Sequence, residues 1–295
     1  MRKYKMRKKI SPYLYILPAV IPILLFFYWP LLYNAVLSFM DWDLISPNKN
    51  FVGLKNFRSL FGREDFQLSL INTGKYVLGL FPLSIVIPLA LSLLVLSIRR
   101  LRGAYESLLF IPTVLSFSVA CFVWIWMYTP FDGVIAKLFN AVGLRPLSWL
   151  ADHRVALWSI VIVSGWRMLG YHQLICGSAL KAIPEEIIEA ALIDGAGPWR
   201  RFWSIKLPLI SPTIFFLSVT TVIFVSDYVF IPIHILTRGG PYNSTNNLIY
   251  LVYQYGFRYF NAGLAGATAL ITFGLFAVVA FLIFYFGERK VHYEN

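Results

Sequence analysis

The segment LKAIPEEIIEAALIDGAGPWRRFWSIKLP, residues Leu180–Pro208, lies between two long apolar runs but is itself polar at intervals. Pro184 suits the first turn of a helix, and the two glutamates after it suit the positive end of the helix dipole. Gly195 can end that helix because glycine tolerates a left-handed backbone, and Pro198 can begin a second short helix. The segment therefore predicts a helix-turn-helix, here called the knob.

Six apolar runs surround the knob, and each has the roughly 20 residues that a helix needs to cross about 30 Å of hydrocarbon. The composition agrees, because 58% of the 295 residues are hydrophobic and only 14% are charged, against about 25% charged in soluble domains. The sequence predicts an all-α membrane protein with six transmembrane helices. The runs are Tyr13–Phe39, Leu70–Ile98, Tyr105–Tyr128, His153–Ala179, Leu209–Leu236 and Leu264–Phe286.

The distribution of lysine and arginine predicts the orientation of these spans. Six spans place both termini on one side, and the segments on that side hold 15 basic residues in 55 positions. The segments on the other side hold 8 basic residues in 81 positions. Cytoplasmic loops carry the excess of basic residues, so we expect both termini and the knob to be cytoplasmic. The net charge of +12 then reflects membrane orientation and does not indicate a nucleic-acid partner.

The sequence carries no motif for catalysis, for a metal ion or for nucleotide binding. A phosphate-binding loop needs G-x-x-x-x-G-K-[ST], but the only Gly-Lys pair, Gly74-Lys75, is followed by Tyr76. The four histidines lack the spacing of a metal site, and the two cysteines lie in apolar runs. We therefore expect no catalytic residue, no metal and no cofactor in this chain, and any ATP must bind to another subunit.

The knob resembles the EAA loop of binding-protein-dependent ABC importers, and it matches the full pattern EAA-x3-G-x9-I-x-LP. The matching residues are Glu189, Ala190, Ala191, Gly195, Ile205, Leu207 and Pro208. The stretches Phe51–Phe61, Leu108–Tyr128 and Gly239–Ala267 are also similar to loops and helices of sugar permeases. The likeness covers most of the chain and favours the sugar and glycerol-3-phosphate branch.

This resemblance implies a type I (MetI-like) importer fold in which the knob is the coupling helix that docks on an ATPase subunit. It implies a second homologous permease, two ATP-binding subunits that hold ATP and Mg²⁺, and an extracytoplasmic solute-binding protein that contacts the outer loops 40–69, 129–152 and 237–263. The expected division is a first helix with its outer loop (1–69), a five-helix permease core (70–286) containing the coupling loop 180–208, and a cytoplasmic tail (287–295).

Ionisable residues inside membrane spans are costly and suggest function. Asp227 lies in the outer half of the fifth run, beside Ser226 and Tyr228, and Arg167 lies in the fourth. We expect these four residues to line the substrate path, where a carboxylate can accept sugar hydroxyls. The alternative is that Asp227 pairs with a neighbouring helix or subunit for packing.

An alternative class of protein is a secondary carrier that works alone and is driven by an ion gradient. Such a carrier would need several buried acids or paired repeats with broken helices. Asp227 is the only acidic residue deep in a predicted span, and no internal repeat is evident.

Overall fold

The structure is a computed structural model that describes residues 15–98 and 100–287, apart from the side chains of Phe224 and Ser226. The basic N-terminal segment and the tail after Gly287 lie outside the described residues. One antiparallel pair joins β1 (Met40–Asp41) to β2 (Asn50–Phe51), with Met40 opposite Phe51. The helices are α1 (Tyr15–Leu37), α2 (Lys55–Phe61), α3 (Glu64–Ser97), α4 (Arg102–Val114), α5 (Phe117–Met127), α6 (Val134–Ala141), α7 (Ala156–Lys181), α8 (Glu185–Ile193), α9 (Pro198–Leu209), α10 (Ser211–Pro232), α11 (Leu248–Tyr253) and α12 (Ala262–Gly287).

Five of the six predicted runs overlap candidate membrane spans, although the candidate that joins α9 to α10 begins at Pro198, inside the knob. Within the described residues, α1, α3 and α12 are each long and apolar enough to cross a membrane. Two bent pairs qualify when each pair is taken as one span: α4 with α5, and α9 with the first part of α10. The helical, membrane-spanning class that the composition predicts is therefore confirmed.

The sixth predicted run forms α7, an interior helix that packs against α3, α4, α5 and α10. Fifteen of its 26 residues are buried. Gly170 allows the approach of α4, because a Cβ there would overlap the carbonyl oxygen of Leu109. Buried His172 places Nδ1 2.8 Å from the Ser84 carbonyl oxygen. A helix enclosed by other helices meets little lipid, which agrees with α7 being the one of the six runs that does not qualify as a candidate span among the described residues.

The third predicted run, Tyr105–Tyr128, forms two helices rather than one. The axes of α4 and α5 differ in direction by 98°, and Leu115 between them has extended backbone, with φ −63° and ψ 145°. The hydropathy of the run predicts one span, although Pro112 lies three residues before Leu115 and Ser116 directly after it.

Three helices contain a five-residue π-helical segment that ends two residues before a proline. A proline ring clashes with the carbonyl four residues earlier in an α-helix, and a π turn widens the backbone at that level. Prolines are in this way accommodated without ending the helix. The pairs are Leu24–Tyr28 with Pro30, Pro82–Val86 with Pro88, and Phe202–Lys206 with Pro208.

The chain divides into two compact units, of which the first joins the described part of Met1–Arg63 to Val252–Thr272. Its centre is the Asn56 amide, whose Nδ2 donates to the carbonyl oxygens of Ser38 at 2.9 Å and Met40 at 2.8 Å. Gly263 permits close packing there, because a Cβ would overlap the Met40 carbonyl oxygen.

The loop between β1 and β2 is closed by Asp43. Its Oδ1 accepts hydrogen bonds from the backbone N–H groups of Ile45 at 3.0 Å and Ser46 at 2.7 Å, and from the Ser46 hydroxyl at 2.8 Å. The hydrogen bonds from Ser46 are the main cause that holds the pKa of Asp43 below its usual range.

The second unit comprises Glu64–Leu251 and the described part of Phe273–Asn295. One of its buried apolar clusters lies at the base of the knob, where Leu180 and Ile210 pack with Leu89 and Leu217. Because Leu180 begins the knob and Ile210 follows it, this cluster holds both ends of the knob in the core.

Candidate functional site

The knob has the helix-turn-helix form that the sequence predicts. Its first helix is α8, with Pro184 in extended backbone just before it and Glu185 and Glu186 in the first turn. At the other end Gly195 has φ +73°, and the N–H of Ala196 bonds to the carbonyl oxygen of Ala191 at 2.9 Å. This pairing, with the Gly195 N–H bonded to the Leu192 carbonyl oxygen at 3.0 Å, is a Schellman cap.

The knob exposes large apolar side chains, at its turn and along α9. Ile193 is 87% exposed and Trp199 is 75% exposed, while Leu192 and Trp203 are about half exposed. Exposed apolar residues that cluster on one protrusion are typical of a surface that binds another protein or a membrane.

The EAA-pattern residues divide into a surface group and an anchoring group. Glu189 and Ala190 are exposed, whereas Ala191 is buried within the chain at 7% exposure. Leu207 packs against the buried cluster at the base of the knob, and Ile205 and Pro208 are half-buried. Ala190 therefore lies on the exposed surface of the knob, whereas Ala191 packs inside the chain.

Arg167 lies at the break between α4 and α5. Its Nη1 donates to the Leu115 carbonyl oxygen at 2.6 Å, and its guanidinium lies 4.6 Å from the ring centroid of Phe117. The Thr113 hydroxyl donates to the Arg167 carbonyl oxygen at 3.0 Å. Arg167 thus supplies a donor to a carbonyl that the broken helix leaves without a helical partner.

The predicted path residues lie on facing helices, but no ion pair joins Asp227 to Arg167 within the described part of the chain. Asp227 is exposed and Tyr228 is half-buried on α10. Tyr228 lies within electrostatic range of both Arg167 and Asp227, and its carbonyl oxygen accepts a hydrogen bond from Ser164 at 3.1 Å. The Ser226 side chain lies outside the described residues. The structure therefore places Tyr228 near Arg167, whereas Asp227 is exposed and makes no ion pair with Arg167 in the described part of the chain.

A second polar group, which the sequence analysis missed, fixes the loop between α10 and α11. The Asn72 amide on α3 donates to the carbonyl oxygens of Asn243 and Asn246, both at 3.1 Å. The buried Tyr76 hydroxyl donates to the Thr245 carbonyl oxygen at 2.8 Å. Asn72 and Tyr76 lie one helical turn apart on α3, and this spacing of polar residues in an apolar run is the signal that was available.

The described residues hold no cluster of three or more histidine, cysteine, aspartate or glutamate side chains that is able to bind a metal ion. The described side chains offer hydrogen bonds around Arg167 and Asn72 and apolar contacts on the knob. Comparisons with known proteins give this arrangement a family context.

Residues 4–293 match the family model described as "Binding-protein-dependent transport system inner membrane component". The chain belongs to this family. Its members are permease subunits of transporters and are not themselves enzymes. The recognition made from the EAA pattern is thus confirmed, and the chain is a multi-pass membrane permease.

Curated relatives cover this permease almost end to end. It is 33% identical over 291 residues to the sn-glycerol-3-phosphate transport system permease protein UgpA of Agrobacterium fabrum, and 97% of each chain is covered. It is 33% identical to the protein of the same name from Brucella suis biovar 1, over the whole of both chains.

Solved structures share the fold of this permease. A chain from a bacterial ABC transporter involved in the import of the acidic polysaccharide alginate superposes with a TM-score of 0.83 at 23% identity, covering 98% of this chain and 99% of the other. A chain of the MetNI methionine ABC transporter superposes with a TM-score of 0.54 at 18% identity over 77% of this chain and 96% of the other. These likenesses establish a type I, MetI-like helical fold.

Proposed function

We propose that this permease is one membrane subunit of an ABC importer that takes up sn-glycerol-3-phosphate or a related sugar-class solute. It crosses the membrane six times with both termini in the cytoplasm, and α7 is the sixth span beside the five candidates. Separate ATPase subunits supply the energy through the knob, and an extracytoplasmic binding protein delivers the solute to the loops 40–69, 129–152 and 237–263.

The exposed apolar tip of the knob is the observation that carries this proposal. Ile193 and Leu192 protrude beside the capped turn of the knob, which is anchored in the core by Leu207 and Ile210. A knob with a buried base and an exposed apolar tip is suited to transmit the movement of a bound subunit. Because the base is packed in the core, displacement of the tip moves the membrane helices and does not only deform the loop. Glu189 and Ala190 extend the same exposed surface.

Ile193→Asp tests the docking of the knob on the ATPase. Burying a fully exposed isoleucine contributes about 1.5–3 kcal/mol, so we expect ATPase-subunit binding to the purified permease complex to weaken by about 10-fold to 150-fold. Phe131→Asp is the matched control, because Phe131 is 86% exposed and lies in a predicted outer loop. Equal losses in both variants contradict the docking role of the knob.

A second, homologous permease subunit is part of the proposal. None of the most apolar 18-residue window of α1 is buried within this chain, although α1 carries large side chains such as Phe26, Phe27 and Trp29. Such a helix meets lipid or another subunit, and a heterodimer provides that cover. Cysteine cross-linking from Phe26 to the second permease, in membranes containing the assembled transporter, checks this arrangement.

The solute assignment rests on the relatives that the chain resembles across its full length. Uptake of radiolabelled sn-glycerol-3-phosphate by cells that express the complete transporter tests it, with a neutral disaccharide as the competitor. Labelled uptake that excess unlabelled sn-glycerol-3-phosphate abolishes, and that the disaccharide leaves unchanged, supports the assignment. Labelled uptake that the disaccharide abolishes indicates that neutral sugars are the solute.

A further inference from the structure

A groove of about 690 Å³ lies between the second half of α3 and α9, beside the base of the knob. Its α3 wall is apolar and includes Val86, Ala90 and Leu93. The α9 wall includes Trp199 and Trp203, whose ring centroids are 5.7 Å apart. The volume falls in the range of about 300–1,000 Å³ that is usual for small-molecule sites.

Two cationic side chains, Arg201 and Lys206, line the same groove, and none of its lining residues is acidic. The Nε of Arg201 is buried and makes no hydrogen bond in the described part of the chain. Neither cation forms an ion pair with a described residue. Because buried donors are normally hydrogen-bonded, this end of the groove has the character of a site for an anionic acceptor.

We propose that the groove binds an anionic phospholipid. The headgroup phosphate accepts hydrogen bonds from Arg201 and Lys206, and an acyl chain lies along Val86, Ala90 and Leu93. A small free anion satisfies the two cations but leaves the apolar wall uncovered, whereas a phospholipid matches both parts of the groove. Basic pockets between membrane helices are known to suit anionic headgroups on the cytoplasmic side.

The place of the groove in the fold supports a lipid rather than a soluble peptide. α9 leads directly into a candidate membrane span, and Trp199 and Trp203 on it are the residue type that is enriched at membrane interfaces. Under the proposed topology, on which this point rests, the groove opens at the inner leaflet. The bound lipid then connects α3 with α9, so it stabilises the position of the knob.

The test measures how strongly the full-length permease in mixed micelles prefers phosphatidylglycerol to phosphatidylcholine with the same acyl chains. Native mass spectrometry counts the lipids that are retained. Arg201→Gln should reduce the preference about fivefold, and Arg201→Gln with Lys206→Gln about thirtyfold, from the contribution of one basic residue near a lipid surface. Arg200→Gln is the matched control, because Arg200 is exposed and does not line the groove. It should change the preference by less than about twofold.

A second pair of variants tests the apolar wall independently of charge. Ala90→Phe places a ring in the groove and should lower retention of both lipids about tenfold, from the apolar contacts that it displaces. Ile87→Phe adds the same ring to α3 outside the groove and should leave retention unchanged.

Three results overturn the proposal. One is an equal effect of Arg200→Gln and Arg201→Gln, which would mean that surface charge alone attracts the lipid. Another is the absence of any lipid preference in the wild-type chain. A third is release of the second permease subunit by Ala90→Phe with lipid retention intact, which would make the groove a subunit interface. If the wild-type transporter shows the lipid preference but takes up no sn-glycerol-3-phosphate, the proposed transport function is contradicted and the lipid site is not.

Discussion

Replacing Gly195 by alanine changes one turn of the knob and leaves its packing alone. Apart from its two chain neighbours, no residue has an atom within 4 Å of the position of an added Cβ, so the substitution meets no steric clash. The cost comes from φ +73°, because a left-handed backbone costs an alanine about 1–2 kcal/mol. In the undocked permease the turn can adopt other backbone angles and so avoid this cost, whereas docking on the ATPase requires the left-handed conformation at residue 195. We therefore expect ATPase-subunit binding to weaken about five- to thirtyfold.

Two further variants separate backbone conformation from the mere loss of glycine. Gly197 also has open space for a Cβ, but its φ is −65° and its ψ 167°, a backbone region that alanine adopts without strain, so Gly197→Ala should change binding by less than about twofold. Gly195→Asn should recover most of the affinity, because asparagine tolerates the left-handed region. The assay titrates ATPase subunits against the purified permease complex, after membrane insertion of each variant has been confirmed. If Gly195→Ala and Gly197→Ala bind equally well, the turn does not control docking.

Three other expectations concern single side chains. Asp227→Ala should raise the KM for uptake without weakening ATPase-subunit binding, and unchanged uptake kinetics would remove Asp227 from the solute path. Tyr76→Phe leaves the Thr245 carbonyl oxygen unpaired in a buried site and should lower the free energy of unfolding in detergent by about 1–3 kcal/mol. Tyr105→Phe, at a position 45% exposed, should not, and equal losses would contradict the role of the Tyr76 bond. Asp43→Ala should increase proteolysis of the β1–β2 loop. In the wild type this proteolysis should be flat between about pH 8 and pH 5, because a lowered carboxyl pKa preserves the contribution of Asp43 until the pH falls through that pKa. A rise in cleavage above about pH 5 would show that other groups close the loop.

The knob was predictable because its determinants are local. Pro184 and Pro198 mark the starts of its two helices, and Gly195 marks the turn through a backbone conformation that glycine adopts readily. The family pattern then located the same residues independently. Only the separation of exposed Ala190 from buried Ala191 needed the structure, because it depends on how α8 packs on the rest of the chain.

The break between α4 and α5 and the support of the loop after α10 were not predictable in the same way. The Leu115 carbonyl oxygen receives its donor from Arg167, 52 residues later. Asn72 supports a loop that begins about 170 residues further along the chain. Composition and periodicity describe single segments, whereas these contacts depend on how distant segments meet. The occurrence of the polar residues Arg167 and Asn72 within apolar runs was the signal of these contacts in the sequence.

The 66° angle between α9 and α10 has a mechanical consequence for the transporter. α9 is about 18 Å long, and it meets α10 at Ile210, which is almost fully enclosed at 2% exposure. A rod that turns by about 10° about one end moves its free end by about 3 Å over this length. Ile210 is thus placed to act as a hinge, so that a displacement of the knob by the ATPase tilts α10.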